Sequence, residues 1–161
     1  IRRAAGSAMA LVREVVRRFP SFNDIAMWGG SEVRFYKRAQ ILAGDLAGAL
    51  AGSPLGRFHD LDQLTAFADY KVPQVLRQLG ILRYSPALAA TVARRELLPA
   101  GSAPEVEIRA ATIWSCELLR QALADRGRSV SAHQLDWLLW EHGQWLPEQA
   151  EPYHRTLTVF Y

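Results

Sequence analysis

One stretch of the chain, residues 58–74, gathers three aspartates (Asp60, Asp62, Asp69), His59, several aromatic side chains and Lys71. Carboxylates that share a surface can act as general acid and base, and each of the three also has a purely structural reading. Asp60 precedes Gln63 at the spacing of a capping box and reads as the N-cap of a short helix over 61–68. Asp62 falls in the first turn of that helix, where negative charge suits the helix dipole. Asp69 falls at its C-terminal end, where the dipole disfavours a carboxylate by roughly 0.3–1 kcal/mol. A residue that breaks a local rule is a candidate for function, although Asp69 could equally serve the next helix or pair with Lys71. Seven residues separate Asp62 from Asp69, so an unbroken helix puts both on one face.

Lysine occurs only twice, at Lys37 and Lys71, against 17 arginines. A compact ammonium does some work that a guanidinium does not. Lys37 sits in Phe35-Tyr36-Lys37-Arg38-Ala39-Gln40 and reads either as a solvated surface lysine or as a phosphate ligand reaching into a pocket beside Tyr36. The histidines His59, His133, His142 and His154 lack the i, i+4 spacing of a metal pair. Cys116 has no second cysteine to bond and reads as a small buried hydrophobe. The five tryptophans read mostly as core. Neither a Gly-rich phosphate loop nor a nucleophile elbow is present.

Helices must position these groups. Ala and Leu together number 45 against 21 for Val, Ile and Thr, a helical bias. The chain opens on Ile1 directly into an amphipathic pattern (Ala5, Ala8, Met9, Val12, Val15, Val16), as a chain cut from something longer would. Trp28-Gly29-Gly30 reads as a turn, with Ser31 the N-cap of a helix over 32–50. Pro73 lies near the first turn of a helix ending at Gly80, and Ser85-Pro86 opens another to about 95. Ser102 and Glu105 suggest a capping box for a long helix to about 125, and Ser131 begins a Trp-rich helix over 132–142. The alternation at the end, 153–161, suits a strap or short strand. The expected fold is all-α in a single domain over 1–161.

Of the 161 residues, 50% are hydrophobic and 22% charged, which excludes a disordered segment and suits one domain with a core. The longest apolar stretch is interrupted by Asp45, and no signal peptide leads the chain, so the expectation is a cytoplasmic protein away from membranes. Residues 1–58 carry a net +5 and residues 59–161 a net −2. That imbalance suits a phosphate-bearing ligand better than an obligate duplex binder.

The runs Phe35-Tyr36-Lys37-Arg38-Ala39-Gln40-Ile41-Leu42, Leu64-Thr65-Ala66-Phe67-Ala68-Asp69-Tyr70-Lys71-Val72-Pro73-Gln74-Val75-Leu76, Glu105-Val106-Glu107-Ile108-Arg109-Ala110 and His154-Arg155-Thr156 resemble the queuosine salvage protein family over nearly the whole chain. The resemblance implies an all-helical fold similar to the helix-hairpin-helix DNA glycosylases. It also implies hydrolysis of the N-glycosidic bond of queuosine 5′-monophosphate, releasing queuine for tRNA modification, without metal or organic cofactor. Asp69 takes the place of the family's catalytic aspartate, Lys37 matches its motif lysine, and Phe67 should line the base pocket. Tyr36, Asp62, Tyr70, Lys71 and Gln74 complete the expected substrate-binding set. Lys71 departs from the family, which usually has Arg there, and members carry an N-terminal half of comparable length ahead of the matching region. The expected partner is the small-molecule nucleotide, with no direct nucleic-acid binding. Two other readings remain: a nucleic-acid-binding or base-excising domain of the helix-hairpin-helix type, and a non-catalytic helical interaction module.

Overall fold

The computed structural model describes residues 1–161. After a 3-10 turn at Arg2–Ala4, helix α1 (Ala8–Arg18) starts at Ser7, whose hydroxyl accepts from the Ala10 amide. Asp60 reinforces that start from far along the chain, its carboxylate accepting from Ser7 Oγ and from the Ala8 amide at 2.6 Å each. Asp60 is therefore a helix cap, but for α1 and not for its own segment.

The all-α expectation does not hold. Ile25–Trp28 (β1) and Ser31–Arg34 (β2) form an antiparallel hairpin, closed by the Trp28–Ser31 pair. Its two-residue loop, Gly29-Gly30, has φ of 54° and 82°, a conformation open to glycine and strained for most other residues. Ser31 is thus a strand residue, and helix α2 (Lys37–Ala49) begins only after the hairpin. The fold mixes helices with a small sheet, and nothing in it ties the chain to helix-hairpin-helix glycosylases.

The helix expected over 61–68 also fails. Leu61–Gln63 makes a single 3-10 turn, Leu64 is already extended (φ −66°, ψ 135°), and residues 64–69 have no regular structure. Helix α3 (Lys71–Gln78) follows, and Gly80 at φ 72° leads the chain away from it. Ser85 caps α4 (Pro86–Ala93) through the Leu88 amide. The long α5 (Ala103–Ala124) starts without the expected capping box: Glu105 accepts from the Gly101 amide, and the Ser102 hydroxyl is buried without a partner. Helix α6 (Ala132–Gln144) does have such a box, with the Ser131 amide donating to Gln134 Oε1 at 3.0 Å. The C-terminal segment forms one isolated bridge, Arg155 to Leu97, and no strand. No helix is long and apolar enough to cross a membrane.

Two main cores result. One joins α1 to α2 through Leu11, Val12, Val15, Ala39, Ala43 and Leu64. The other joins α3, α5 and α6 through Val72, Val75, Leu76, Cys116, Leu135 and Leu139. Each fully buried Val or Leu here is worth about 1.5–3 kcal/mol relative to exposure. At Gly143 a Cβ would stand 2.6 Å from Lys71 Cδ, so the glycine lets α6 approach α3 closely. Tryptophan contributes little to either core. All five lie on the surface, from Trp28 at 43% exposed to Trp145 at 81%; the two on α6, Trp137 and Trp140, point outward because that helix turns Leu135 and Leu139 inward.

Candidate active site

Segment 64–69 crosses between the two cores, and its residues alternate in role. Leu64, Ala66 and Ala68 each enter a different apolar cluster. A buried stretch without regular structure must find partners for its amides and carbonyls elsewhere. Three helices supply them. Gln40 of α2 accepts from the Thr65 amide at 2.9 Å, Asp136 of α6 accepts from the Phe67 amide at 2.8 Å, and Arg109 of α5 donates to the Ala68 carbonyl at 3.3 Å. The next residue in the segment is Asp69.

A cavity of about 770 Å³ opens beside this segment, lined in part by Lys37, Phe67, Asp69, Asp136, Trp137 and Trp140. Asp69 is only 5% exposed. Its Oδ1 accepts from the Lys71 and Val72 amides at 2.9 Å each, which caps α3. The helix-dipole penalty expected for Asp69 therefore does not arise, because the carboxylate faces a helix N-terminus instead of a C-terminus. Burial pushes its carboxyl above the usual carboxylate range, and the Val72 amide, the Lys37 ammonium and the Lys71 amide partly restrain the rise.

Lys37 is the first residue of α2, reached through Tyr36 in the left-handed region at φ 48°. Asp24 fixes that corner: its carbonyl accepts from the Phe35 and Tyr36 amides, and its Oδ2 accepts from the Lys37 amide at 3.2 Å. The Lys37 ammonium forms neither hydrogen bond nor ion pair within the chain. Burial lowers its pKa, while the charges of Asp69 and Asp136 oppose the drop.

Asp136 is the residue that sequence reasoning missed. It is 3% exposed and lines the same cavity as Asp69. Burial, and then the neighbouring Asp69 charge, push its carboxyl up to about 8. The signal was present in α6, where Ala132, Leu135, Leu139 and Gly143 form a buried stripe and Asp136 falls within it.

The expected binding set divides. Lys37, Phe67 and Asp69 meet at the cavity. Tyr36 shapes the corner behind Lys37 without lining the cavity. Asp62 lies in a separate surface depression with Glu117 and Arg120. The Tyr70 ring packs on Tyr153 at 4.7 Å, and Lys71 and Gln74 face another depression, where Gln74 donates to the Glu151 carbonyl. No group of three His, Cys, Asp or Glu side chains is placed to hold a metal ion.

The fold and cavity together define a mixed helical domain that holds two buried carboxylates and one unpaired lysine against aromatic walls. The model of the queuosine salvage protein family matches residues 1–161, and the chain belongs to that family. It is 65% identical over 159 residues to a Sphaerobacter thermophilus protein named queuosine 5′-phosphate N-glycosylase/hydrolase, covering 98% of this chain and 49% of that one. Proteins of the same name from Dictyostelium discoideum (44% identical, 98% and 49% covered) and Mus musculus (37% identical, 100% and 50% covered) are similar as well. The chain spans about half the length of these curated relatives.

Proposed function

We propose that this chain carries the catalytic site of a hydrolase that cleaves the N-glycosidic bond of queuosine 5′-monophosphate and releases queuine for tRNA modification. The observation that carries the reading is Asp69: a buried carboxylate, held by two amides, lining an aromatic cavity that also contains an unpaired ammonium. The names of the similar proteins point to the same chemistry.

In a 7-deazapurine, position 7 is carbon, so the base cannot be made a better leaving group by protonation at that atom. Catalysis must instead stabilise the positive charge that develops on the ribose and supply a proton elsewhere on the base. Asp69 does the first. Its Oδ1 is occupied by amides while its other oxygen has no partner in the chain, leaving that oxygen to face the anomeric carbon and to take a proton from attacking water. Exclusion of solvent lowers the effective dielectric and strengthens the attraction to an oxocarbenium-like transition state.

Lys37 holds the 5′-phosphate. An ammonium with no internal partner is ready to donate charge-assisted hydrogen bonds. Phe67, Trp137 and Trp140 offer flat apolar walls for the base. The ligand is the free nucleotide and not a polynucleotide. The lone Cys116 is buried and has no second cysteine with which to form a disulfide, which suits a reducing compartment, and the cytoplasm is the one proposed. The direct test is to incubate the protein with queuosine 5′-monophosphate and follow free queuine by chromatography. Release of queuine supports the reading, and intact nucleotide after prolonged incubation rejects it.

A further inference from the structure

Asp69 accounts for the sugar side of the proposed reaction but leaves the departing base without a proton donor. Asp136 lines the same cavity. It reaches the cavity from α6, 67 positions along the chain from Asp69. Its Oδ1 is engaged by the Phe67 amide, and no group of the chain is hydrogen-bonded to its Oδ2. The groups that face it are the Asp69 carboxylate from segment 64–69, the Lys37 ammonium from α2 and the neutral Cys116 thiol from α5. Glu141 lines the same cavity from its own helix.

Two carboxylates in one low-dielectric cavity do not both ionise readily. The one with more donors keeps the charge. Asp69 has two amide donors and Asp136 has one, so the proton resides on Asp136.

We propose, resting on the hydrolase reading above, that Asp136 is a second catalytic residue and delivers from its Oδ2 the proton taken up by the leaving base. As the glycosidic bond breaks, its electron pair passes into the deazapurine ring, and the ring takes the Asp136 proton. Water adds to the anomeric carbon and gives its own proton to Asp69. The cycle leaves Asp136 ionised and Asp69 protonated, and passage of one proton across the cavity restores the pair.

Asp136→Asn keeps an acceptor for the Phe67 amide and removes the deliverable proton. The test compares queuosine 5′-monophosphate with p-nitrophenyl riboside 5′-phosphate, whose nitrophenolate departs without protonation. The variant should lose about 100-fold or more in kcat on the first substrate, and its loss on the second should be smaller by a factor of about ten or more. Equal losses on both substrates reduce Asp136 to a strut for Phe67 and overturn the proposal, as does no loss on either. The pH profile is a second, independent readout. Wild-type kcat/KM should fall as pH rises through about 8, where Asp136 loses its proton, and the residual activity of Asp136→Asn should lack that limb. A variant that retains the limb also overturns the proposal. Wild-type protein inactive on the natural nucleotide rejects the hydrolase reading itself, and this role of Asp136 with it.

Discussion

Arg109 and Asp24 form a buried ion pair, with Nη1 2.9 Å from Oδ1, that links the two halves of the candidate site. On one side Arg109 donates to the carbonyl of Ala68, directly before Asp69. On the other, Asp24 accepts from the amide of Lys37. The guanidinium also lies 3.9 Å from the centre of the Phe35 ring, so packing fixes its orientation. A pair nearly sealed from solvent, with side chains 3% and 1% exposed, contributes most clearly when one partner is removed and the other is left uncompensated.

Arg109→Leu should therefore cost about 3–5 kcal/mol of folding stability, read as a lower midpoint in urea unfolding. Arg109→Lys keeps the charge but loses the two-point fork, and should keep the fold while lowering turnover. A leucine variant as stable as wild type would show that the pair supports nothing.

Lys37→Ala should lower kcat/KM for queuosine 5′-monophosphate by about 100-fold and for the bare nucleoside by no more than about threefold, because only the phosphate loses its partner. Parallel steady-state assays on the two substrates decide it. Equal losses would remove Lys37 from the phosphate.

Asp60→Ala should destabilise the fold by about 1–3 kcal/mol, since the Ser7 hydroxyl and Ala8 amide both lose a charged acceptor. Turnover per folded molecule should be unaffected, because Asp60 does not line the cavity. Thermal melting paired with an activity assay separates the two effects.

Two buried groups set opposite pH dependences of stability. Asp136, raised to about 8, binds a proton in the folded protein that the unfolded chain releases near pH 4. Stability from this group is therefore lost as pH rises through that window. His154, lowered to about 4 by burial and then by the nearby Arg109 charge, acts the other way, and its contribution is lost as pH falls from about 6.5 toward 4. The two slopes oppose each other below about pH 6.5, and of this pair Asp136 alone acts from there to about 8. Melting temperature should accordingly decline between pH 6.5 and 8 in wild type, and Asp136→Asn should remove that decline. His154→Gln should steepen the loss on raising pH from 4 to 6.5. A variant curve parallel to wild type would contradict the assignment.

Much of the helical frame was legible in the sequence because local signals set it. Ser85, Gly80 and Ser131 mark helix ends by side-chain or backbone chemistry that needs no tertiary context. The hairpin was not, because its strands are four residues long and mostly exposed, so they carry no alternating apolar face. The Gly29-Gly30 loop was the available sign. Segment 64–69 departs from its local propensity for another reason: Leu and Ala favour helices, but tertiary hydrogen bonds with Gln40, Asp136 and Arg109 hold the chain out of one. Asp69 emerged as a candidate through a dipole argument that the structure replaces, and its place in the cavity rests on those same tertiary contacts. Asp136 carries no local signal of its own, and only its place within the buried stripe of α6 sets it apart.

In the proposed reaction the Asp69 carboxylate acts on the sugar as the base departs. Asp69→Asn retains an oxygen for the Lys71 and Val72 amides and removes the negative charge. Queuine release from queuosine 5′-monophosphate, measured in single-turnover assays beside a melting curve, should fall by about 100-fold or more while the fold persists. Turnover near the wild-type rate in a folded Asp69→Asn protein would show that this carboxylate does not act on the sugar.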